Sequence, residues 1–374
     1  MTRKWYINGR FLTQPMTGVQ RYAHEIVRAL DQHLADEHPS ARGLSIELVV
    51  PHACPAPPSA LRAIPTLVIG AGEGHAWEQR ALPSHAPTGL LSLCNTGPIL
   101  LRKHIVCIHD VNTRACPRSY SLAFRTLYRA LQPALGRTAA RIATVSHYSA
   151  DQLVRYGICT RDKIMVAPDG HEHVLRWTPV HSPATRAAAG PNTVVILGSP
   201  APHKNVAVIV GMARKLEAAG LRVAVAGISD GRVFNRNAPE ADAPNVTWLG
   251  RLSDEELAAL LEDSLCLAFP SLAEGFGLPA LEAMTLQCPV VASDRASLPE
   301  ICADAALYAP PFDGDAWLAS FLRLRQDADL RRTLIARGRS RSASYSWSRS
   351  AEAYLEAMAQ ADATSVDTNA RARQ

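Results

Sequence analysis

The stretch Glu274-Gly-Phe-Gly-Leu-Pro-Ala-Leu-Glu282 combines two carboxylates, two glycines and a proline in nine residues. It follows the apolar run Leu265-Cys-Leu-Ala-Phe, which reads as a buried strand closing at Pro270. Glycines at 275 and 277 let the backbone approach a ligand without Cβ obstruction. Pro279 suits the first turn of a helix, so Pro279–Thr285 is predicted helical. The unpaired N–H groups and positive dipole end of such a helix favour an anion, a diphosphate for example. Glu282, expected in that first turn, is placed to accept hydrogen bonds from the vicinal hydroxyls of a ribose. A plain capping role for Glu282, with the glycines only turning the chain, accounts for the same residues.

A second loop, Leu197-Gly-Ser-Pro-Ala-Pro-His-Lys-Asn205, joins a predicted strand to a helix from Val206. In the N-terminal half, Met16-Thr-Gly18-Val opens a helix, with Thr17 as its expected N-cap. His104-Ile-Val-Cys-Ile-His109-Asp110 reads as a strand whose last residues face the crevice of an open α/β sheet. Ser149 is the expected N-cap of the helix after Thr144-Val-Ser146. His171-Glu-His173 has alternate spacing and no third ligand, a poor metal signature.

The elements that hold these loops alternate in type. Apolar runs predict strands at Lys4–Asn8, Ser45–Pro51, Thr66–Ile69, His104–His109, Ile142–Val145 and Lys163–Ala167. They continue at Thr193–Leu197, Arg222–Ala226, Val246–Leu249, Leu265–Phe269 and Cys288–Ala292. Helical patterns fall between them at Gly18–His33, Ala123–Ala134, Ser149–Tyr156, Val206–Ala219 and Asp254–Glu262. Strands apolar on both faces, alternating with helices, imply α/β architecture with parallel sheets. At 374 residues the chain suits two domains. The non-periodic stretch 176–191 is the predicted boundary, and a polar, unstructured tail is expected from about Ala363.

Composition narrows the classes. No apolar run reaches the roughly 18–20 residues of a membrane helix, and the N-terminus reads as a strand rather than a signal peptide. A cytoplasmic protein is expected. Eight dispersed cysteines without a Cys-x-x-Cys pair read as buried free thiols, not disulfides or a zinc site. The net charge of +5 is spread along the chain, with no basic stripe for nucleic acid.

Glu274–Glu282 resembles the Glu-x7-Glu motif of retaining glycosyltransferase family 4. Pro289-Val-Val-Ala-Ser, Leu298-Pro-Glu300-Ile, Trp77-Glu-Gln79, Pro168-Asp-Gly170 and Tyr345-Ser-Trp347 resemble further segments of that family. The resemblance covers nearly the whole chain, most strongly residues 193–302. It implies the GT-B fold, two Rossmann-like domains with parallel sheets facing a central cleft. Residues 1–180 would form the acceptor-binding domain, and 190–344 the donor-binding domain. A helix at about 347–362 would pack back on the first.

By position, Glu274 would lie at the donor sugar and Glu282 at the ribose. The Gly275-Phe276-Gly277-Leu278 loop would present amides to the diphosphate. Lys204 would neutralise the leaving phosphates, and Gly18 would face the donor phosphate or the acceptor. His109 would lie against the donor sugar, with Asp110 on the acceptor side. Ser199 stands where many members carry a phosphate-binding arginine, and His203 or Arg295 are the candidates to replace it.

The resemblance implies a retaining hexosyl transfer from a nucleotide sugar, GDP-mannose first, independent of metal or other cofactor. The acceptor would be a glycan or a polyprenyl-diphosphate-linked glycan, with peripheral inner-membrane association. The rival expectations are a nucleotide-sugar epimerase or hydrolase of the same fold and a non-catalytic sugar-nucleotide-binding protein.

Overall fold

The computed structural model describes residues 3–54, 61–70, 72–199, 201–227 and 243–371, with side chains to residue 364. The chain divides into two compact units. The first holds Met1–Arg114, Leu122–Gly170 and Ser346–Gln374; the second holds Ala115–Ser121 and His171–Tyr345.

In the first unit, seven strands among the described residues form one sheet. They are β1 (Arg3–Asn8), β2 (Leu44–Pro51), β3 (Thr66–Ile69), β4 (Leu90–Ser92), β5 (His104–Cys107), β6 (Arg141–Thr144) and β7 (Ile164–Val166). Their spatial order is β3-β2-β1-β4-β5-β6-β7, and every pairing is parallel. The second unit's sheet has β8 (Thr193–Leu197), β9 (Arg222–Ala226), β10 (Val246–Gly250), β11 (Cys266–Phe269), β12 (Val290–Ser293) and β13 (Ala306–Ala309). Its order is β10-β9-β8-β11-β12-β13, again all parallel.

Both sheets are doubly wound, which bears out the predicted α/β class. Alternation along β8 shows why the strands read as continuous apolar runs. Val194 and Ile196 face one core, Val195 the other, and all three are fully buried. Chain order reverses between β1 and β4 in the first sheet and between β8 and β11 in the second. The crevice beyond the strand ends at such a reversal is where open α/β sheets bind ligands.

The stretch 176–191 is not a linker. Ser182 caps the helix Pro183–Ala188 by accepting from Thr185 N, and Thr185 and Ala188 are buried within the second unit. The chain changes units earlier, after Gly170, because His173 and Val174 are buried in the second unit. The helix predicted over Val206–Ala219 is interrupted at Gly211 and runs as Ala207–Val210 and Ala213–Ala218.

The last helix, Trp347–Arg371, belongs to the first unit. Trp347 packs edge-on to Tyr22 at 5.6 Å, and the Tyr354 and Tyr22 hydroxyls lie 2.8 Å apart. Near the helix's end Asp362 accepts from Trp5 Nε1 at 3.1 Å and pairs with Lys103 at 2.6 Å. The tail expected to be unstructured from Ala363 continues this helix to Arg371, since extending an anchored helix costs far less than nucleating one.

Candidate functional site

The second unit's candidate site is built by the two loops that leave β8 and β11, the strands flanking the chain reversal. The loop after β8 ends in a short 3-10 turn, Pro202–Lys204, followed by Asn205 in the left-handed conformation (φ 52°). Asn205 Nδ2 donates to the carbonyls of Pro270 (3.2 Å) and Pro311 (2.7 Å). Leu272 N donates to the His203 carbonyl at 2.7 Å. These bonds stitch the two loops together and fix where Lys204 emerges.

Lys204 Nζ lies 2.6 Å from Glu274 Oε1 and 5.8 Å from the centre of the Phe269 ring. The sequence assigned these two side chains to the phosphates and to the sugar; the fold brings them into direct contact across 70 positions. Ser297, fully buried, donates its hydroxyl to the carbonyls of Phe276 (2.7 Å) and Glu274 (3.1 Å). It holds the loop from behind, a support that no local motif announced. Gly277 has φ 111°, a conformation that favours glycine, and an added Cβ would sit 2.8 Å from Leu298 Cδ2, which would have to shift.

The helix begins at Leu278 and has no side-chain cap, so no capping side chain takes up its first-turn N–H groups. Its start one residue before Pro279 puts Glu282 beyond the first turn. The capping alternative for Glu282 therefore lapses, because the dipole effect fades within one turn. Glu282 is 5% exposed, and its Oε1 accepts from His173 Nε2 at 3.0 Å. His173 is itself 1% exposed and packs edge-on against Trp177. Sequence reasoning found no use for His173; the structure makes it the support of the Glu282 carboxylate.

The two candidates for the absent arginine separate clearly. Ser199 turns its hydroxyl back to accept from Ala201 N at 3.4 Å, so it shapes its own loop. Arg295 is more than half exposed and pairs with its neighbour Asp294 at 3.1 Å. His203 is buried and stacked on Tyr120, ring centres 6.2 Å apart and 13° from parallel. Burial first, and then the Lys204 charge, hold its imidazole below the usual range, so it is neutral near pH 7.

In the first unit, Gly18 begins its helix, and a Cβ there would meet no atom within 4 Å. The unit's own packing does not ask for glycine at this position. Thr17 sits at the N-cap position but makes no capping bond; its hydroxyl bonds to the Gln20 side chain instead. The cap of the helix His147–Arg155 is Ser146, which accepts from Ser149 N at 3.0 Å. Ser149, the expected cap, lies inside the first turn and donates to the His109 carbonyl at 2.8 Å.

His109 lies two residues beyond the end of β5 and is 6% exposed. Its Nε2 donates to the Leu93 carbonyl at 2.8 Å, and its backbone N–H donates to Asn95 Oδ1 at 2.8 Å. The proton on Nε2 leaves Nδ1 as an acceptor. Asp110 accepts from Asn112 N at 2.8 Å and starts the next turn.

Beside the first sheet's reversal lies a polar network that the sequence left without a role. Fully buried Glu78 accepts from Asn8 Nδ2 at 2.6 Å, from Thr96 Oγ1 at 3.1 Å and from Arg10 Nε at 3.3 Å. His75 Nδ1 lies 3.2 Å from its second oxygen. Burial pushes this carboxyl up, but the bonds from His75 and Asn8 and the Arg10 charge outweigh it and leave it below the usual range.

Burial also holds His104 and His109 at about 4. An unfolded histidine titrates near ~6.5, so between that pH and about 4 the unfolded chain binds more protons. Stability is then lost as pH falls through this window and is flat above it. At pH 5 the expected loss is about 2 kcal/mol for each histidine, checked by urea unfolding at pH 7.5 and 5. An unchanged midpoint would contradict the buried, neutral placement of both rings.

Metal-ligand geometry does not gather at His171 and His173: His171 Nδ1 bonds to the Tyr345 carbonyl at 2.7 Å, and His173 serves Glu282. Among the described residues, His33, His38 and Glu352 of the first unit could hold a metal ion, with ligand atoms within 4.8 Å of one another. All eight cysteines are free, and Cys107, Cys266, Cys288 and Cys302 are buried. No helix among the described residues is long and apolar enough to cross a membrane.

Residues 179–341 match the family described as Glycosyl transferases group 1. This span contains both loops, Lys204 and the whole of Glu274–Glu282. The second unit thus carries a group 1 glycosyltransferase domain. It is similar to the O-antigen chain mannosyltransferase B of Escherichia coli, 28% identical over 64% of this chain and 66% of that protein. It is also similar to the O-antigen chain mannosyltransferase RfbU of Salmonella typhimurium, 25% identical over 62% of this chain and 63% of that one. The alignments thus span just under two thirds of these relatives' lengths. Among solved structures, sucrose-phosphate synthase from Thermosynechococcus elongatus superposes with a TM-score of 0.72. It is 18% identical, over 97% of this chain and 100% of that chain. The fold of the chain is GT-B.

Proposed function

We propose that the protein moves a hexosyl group, mannosyl from GDP-mannose first, from a nucleoside-diphosphate sugar to a glycan or polyprenyl-diphosphate-linked glycan during cell-surface polysaccharide synthesis. The observation that carries this reading is the Lys204–Glu274 pair at 2.6 Å beside the uncapped helix start at Leu278. A cation and the Gly277 and Leu278 amides stand ready for a diphosphate, with a carboxylate next to them for sugar hydroxyls. The mannosyltransferase relatives support the choice of sugar.

In the proposed reaction the acceptor oxygen attacks the anomeric carbon from the face the diphosphate leaves, so configuration is retained. The electron pair of the breaking C–O bond stays on the phosphate. A phosphate oxygen takes the acceptor's proton, and no side-chain base is required. Lys204 and the Gly277 and Leu278 amides stabilise the charge that builds on the leaving group. Glu274 binds sugar hydroxyls, and Glu282, held by His173, binds the ribose. His109 is uncharged, so its proposed part is to accept a hydrogen bond from a sugar hydroxyl at Nδ1 and orient the sugar; Gly18 leaves room for substrate. The donor is held without a metal ion, and the protein works at the cytoplasmic face of the inner membrane.

A thermal-shift panel of GDP, UDP and TDP tests the donor pocket. One diphosphate is expected to raise the melting temperature above the others, at 100 times its Kd by a stabilisation of about 2.7 kcal/mol. GDP is the expected one. No shift with any diphosphate would remove the pocket from the proposal.

A further inference from the structure

We infer that His203 is the second phosphate ligand of the donor pocket, a neutral hydrogen-bond donor in place of the absent arginine. The inference rests on the proposed donor pocket and names one more of its parts.

Four observations carry it. His203 sits immediately before Lys204 on the same short turn, and its carbonyl is tied to Leu272 of the opposing loop, so its backbone is placed as firmly as that of Lys204. The residue is 8% exposed, and its Nδ1 has no hydrogen-bond partner. A buried atom without a partner is better left a bare lone pair than an N–H, so it fixes which ring nitrogen carries the proton. The ring stacks on Tyr120, which fixes its plane. It also lies within electrostatic reach of both Lys204 and Glu274.

The tautomer follows from these facts. A neutral imidazole carries one proton, and burying an N–H without an acceptor costs more than burying a lone pair. The proton therefore rests on Nε2, and Nε2–H is the donor left for an incoming oxygen. A phosphate oxygen beside the Lys204 ammonium is such an acceptor, and a bond to a charged group is stronger than one to a neutral group. A neutral ligand also resolves the charge balance. Glu274 already pairs with Lys204, and a second cation beside Lys204 would be repelled by it in the empty pocket. Arg295, the other candidate, is exposed and pairs with Asp294.

The test is calorimetric titration of GDP, UDP and TDP, each beside its nucleoside, into full-length wild type, His203→Phe, His203→Gln and Lys204→Ala. Phenylalanine keeps the stack on Tyr120 and removes the donor. Glutamine restores an amide N–H at a reach close to that of Nε2. For whichever diphosphate the wild type binds, His203→Phe is expected to weaken affinity about tenfold and to leave the nucleoside within about twofold. His203→Gln is expected to stay within about threefold of wild type for both.

Wild-type diphosphate affinity in His203→Phe, with affinity lost in Lys204→Ala, would overturn the inference and leave the pocket standing. Equal losses for nucleoside and diphosphate would reduce His203 to a structural residue. If wild type binds none of GDP, UDP and TDP, the pocket falls and the inference with it.

Discussion

Lys204→Ala is expected to lower kcat by about 10²–10³-fold at saturating donor, the usual effect of deleting one preorganised group facing a developing negative charge. The ammonium is held 2.6 Å from Glu274 and is only 24% exposed, so little side-chain reorganisation remains for the reaction to provide. The ground-state diphosphate carries much of the same charge, so donor affinity should also fall, but less than kcat. Stopped-flow measurement of nucleoside-diphosphate release separates the two. Lys204→Arg should recover only part of the rate, since a planar guanidinium cannot occupy the position of a compact ammonium between Glu274 and Phe269. A kcat within threefold of wild type in Lys204→Ala would remove the lysine from the chemistry.

The second large effect concerns binding. Glu282→Ala is expected to raise the donor Kd by about 10–100-fold with a smaller change in kcat, because a hydrogen bond to a charged group contributes roughly 1.5–3 kcal/mol. The same change strips His173 of its acceptor in a site that is 1% exposed, so a loss of stability of about 1–3 kcal/mol accompanies it. The two losses are distinguished with 2′-deoxy and 3′-deoxy nucleoside diphosphates. Wild type should discriminate against one or both, whereas Glu282→Ala should bind ribo and deoxy forms alike. A variant that still prefers the ribonucleotide would show that the ribose is held elsewhere.

The parts of the site that were legible in the sequence are those written within one loop. The anion-binding segment from Glu274 to Glu282 is continuous, and its glycines and proline carry their geometry with them. Lys204 stands in a second local pattern. What could not be read was any pairing across the sheet. Lys204 with Glu274 depends on loops that meet only after β8 and β11 lie side by side, and Glu282 with His173 on a contact across 109 positions. Ser297 behind the loop and Glu78 within its network were missed for the same reason.

The fold was legible where strands are long and apolar. β4 has three residues and β13 reads Ala-Leu-Tyr-Ala, too short and too rich in alanine to register as strands. The helices Gly314–Gln326 and Ala328–Ala343 carry many arginines, which blurs an apolar stripe. The strand predicted to His109 is shorter: β5 stops at Cys107, and the His109 Nε2 is held by the Leu93 carbonyl.

The central claim is transfer of a sugar from a nucleotide donor, and its most direct measurement is donor turnover with and without acceptor. Wild-type protein is incubated with GDP-mannose, UDP-hexoses and TDP-hexoses, each alone and with a pool of glycan and polyprenyl-diphosphate-linked acceptors. The expected result is nucleoside-diphosphate release that rises at least tenfold with acceptor, with the transferred sugar keeping its anomeric configuration. Conversion of the donor to its epimer in the absence of acceptor, or no turnover of any donor with any acceptor, would contradict it.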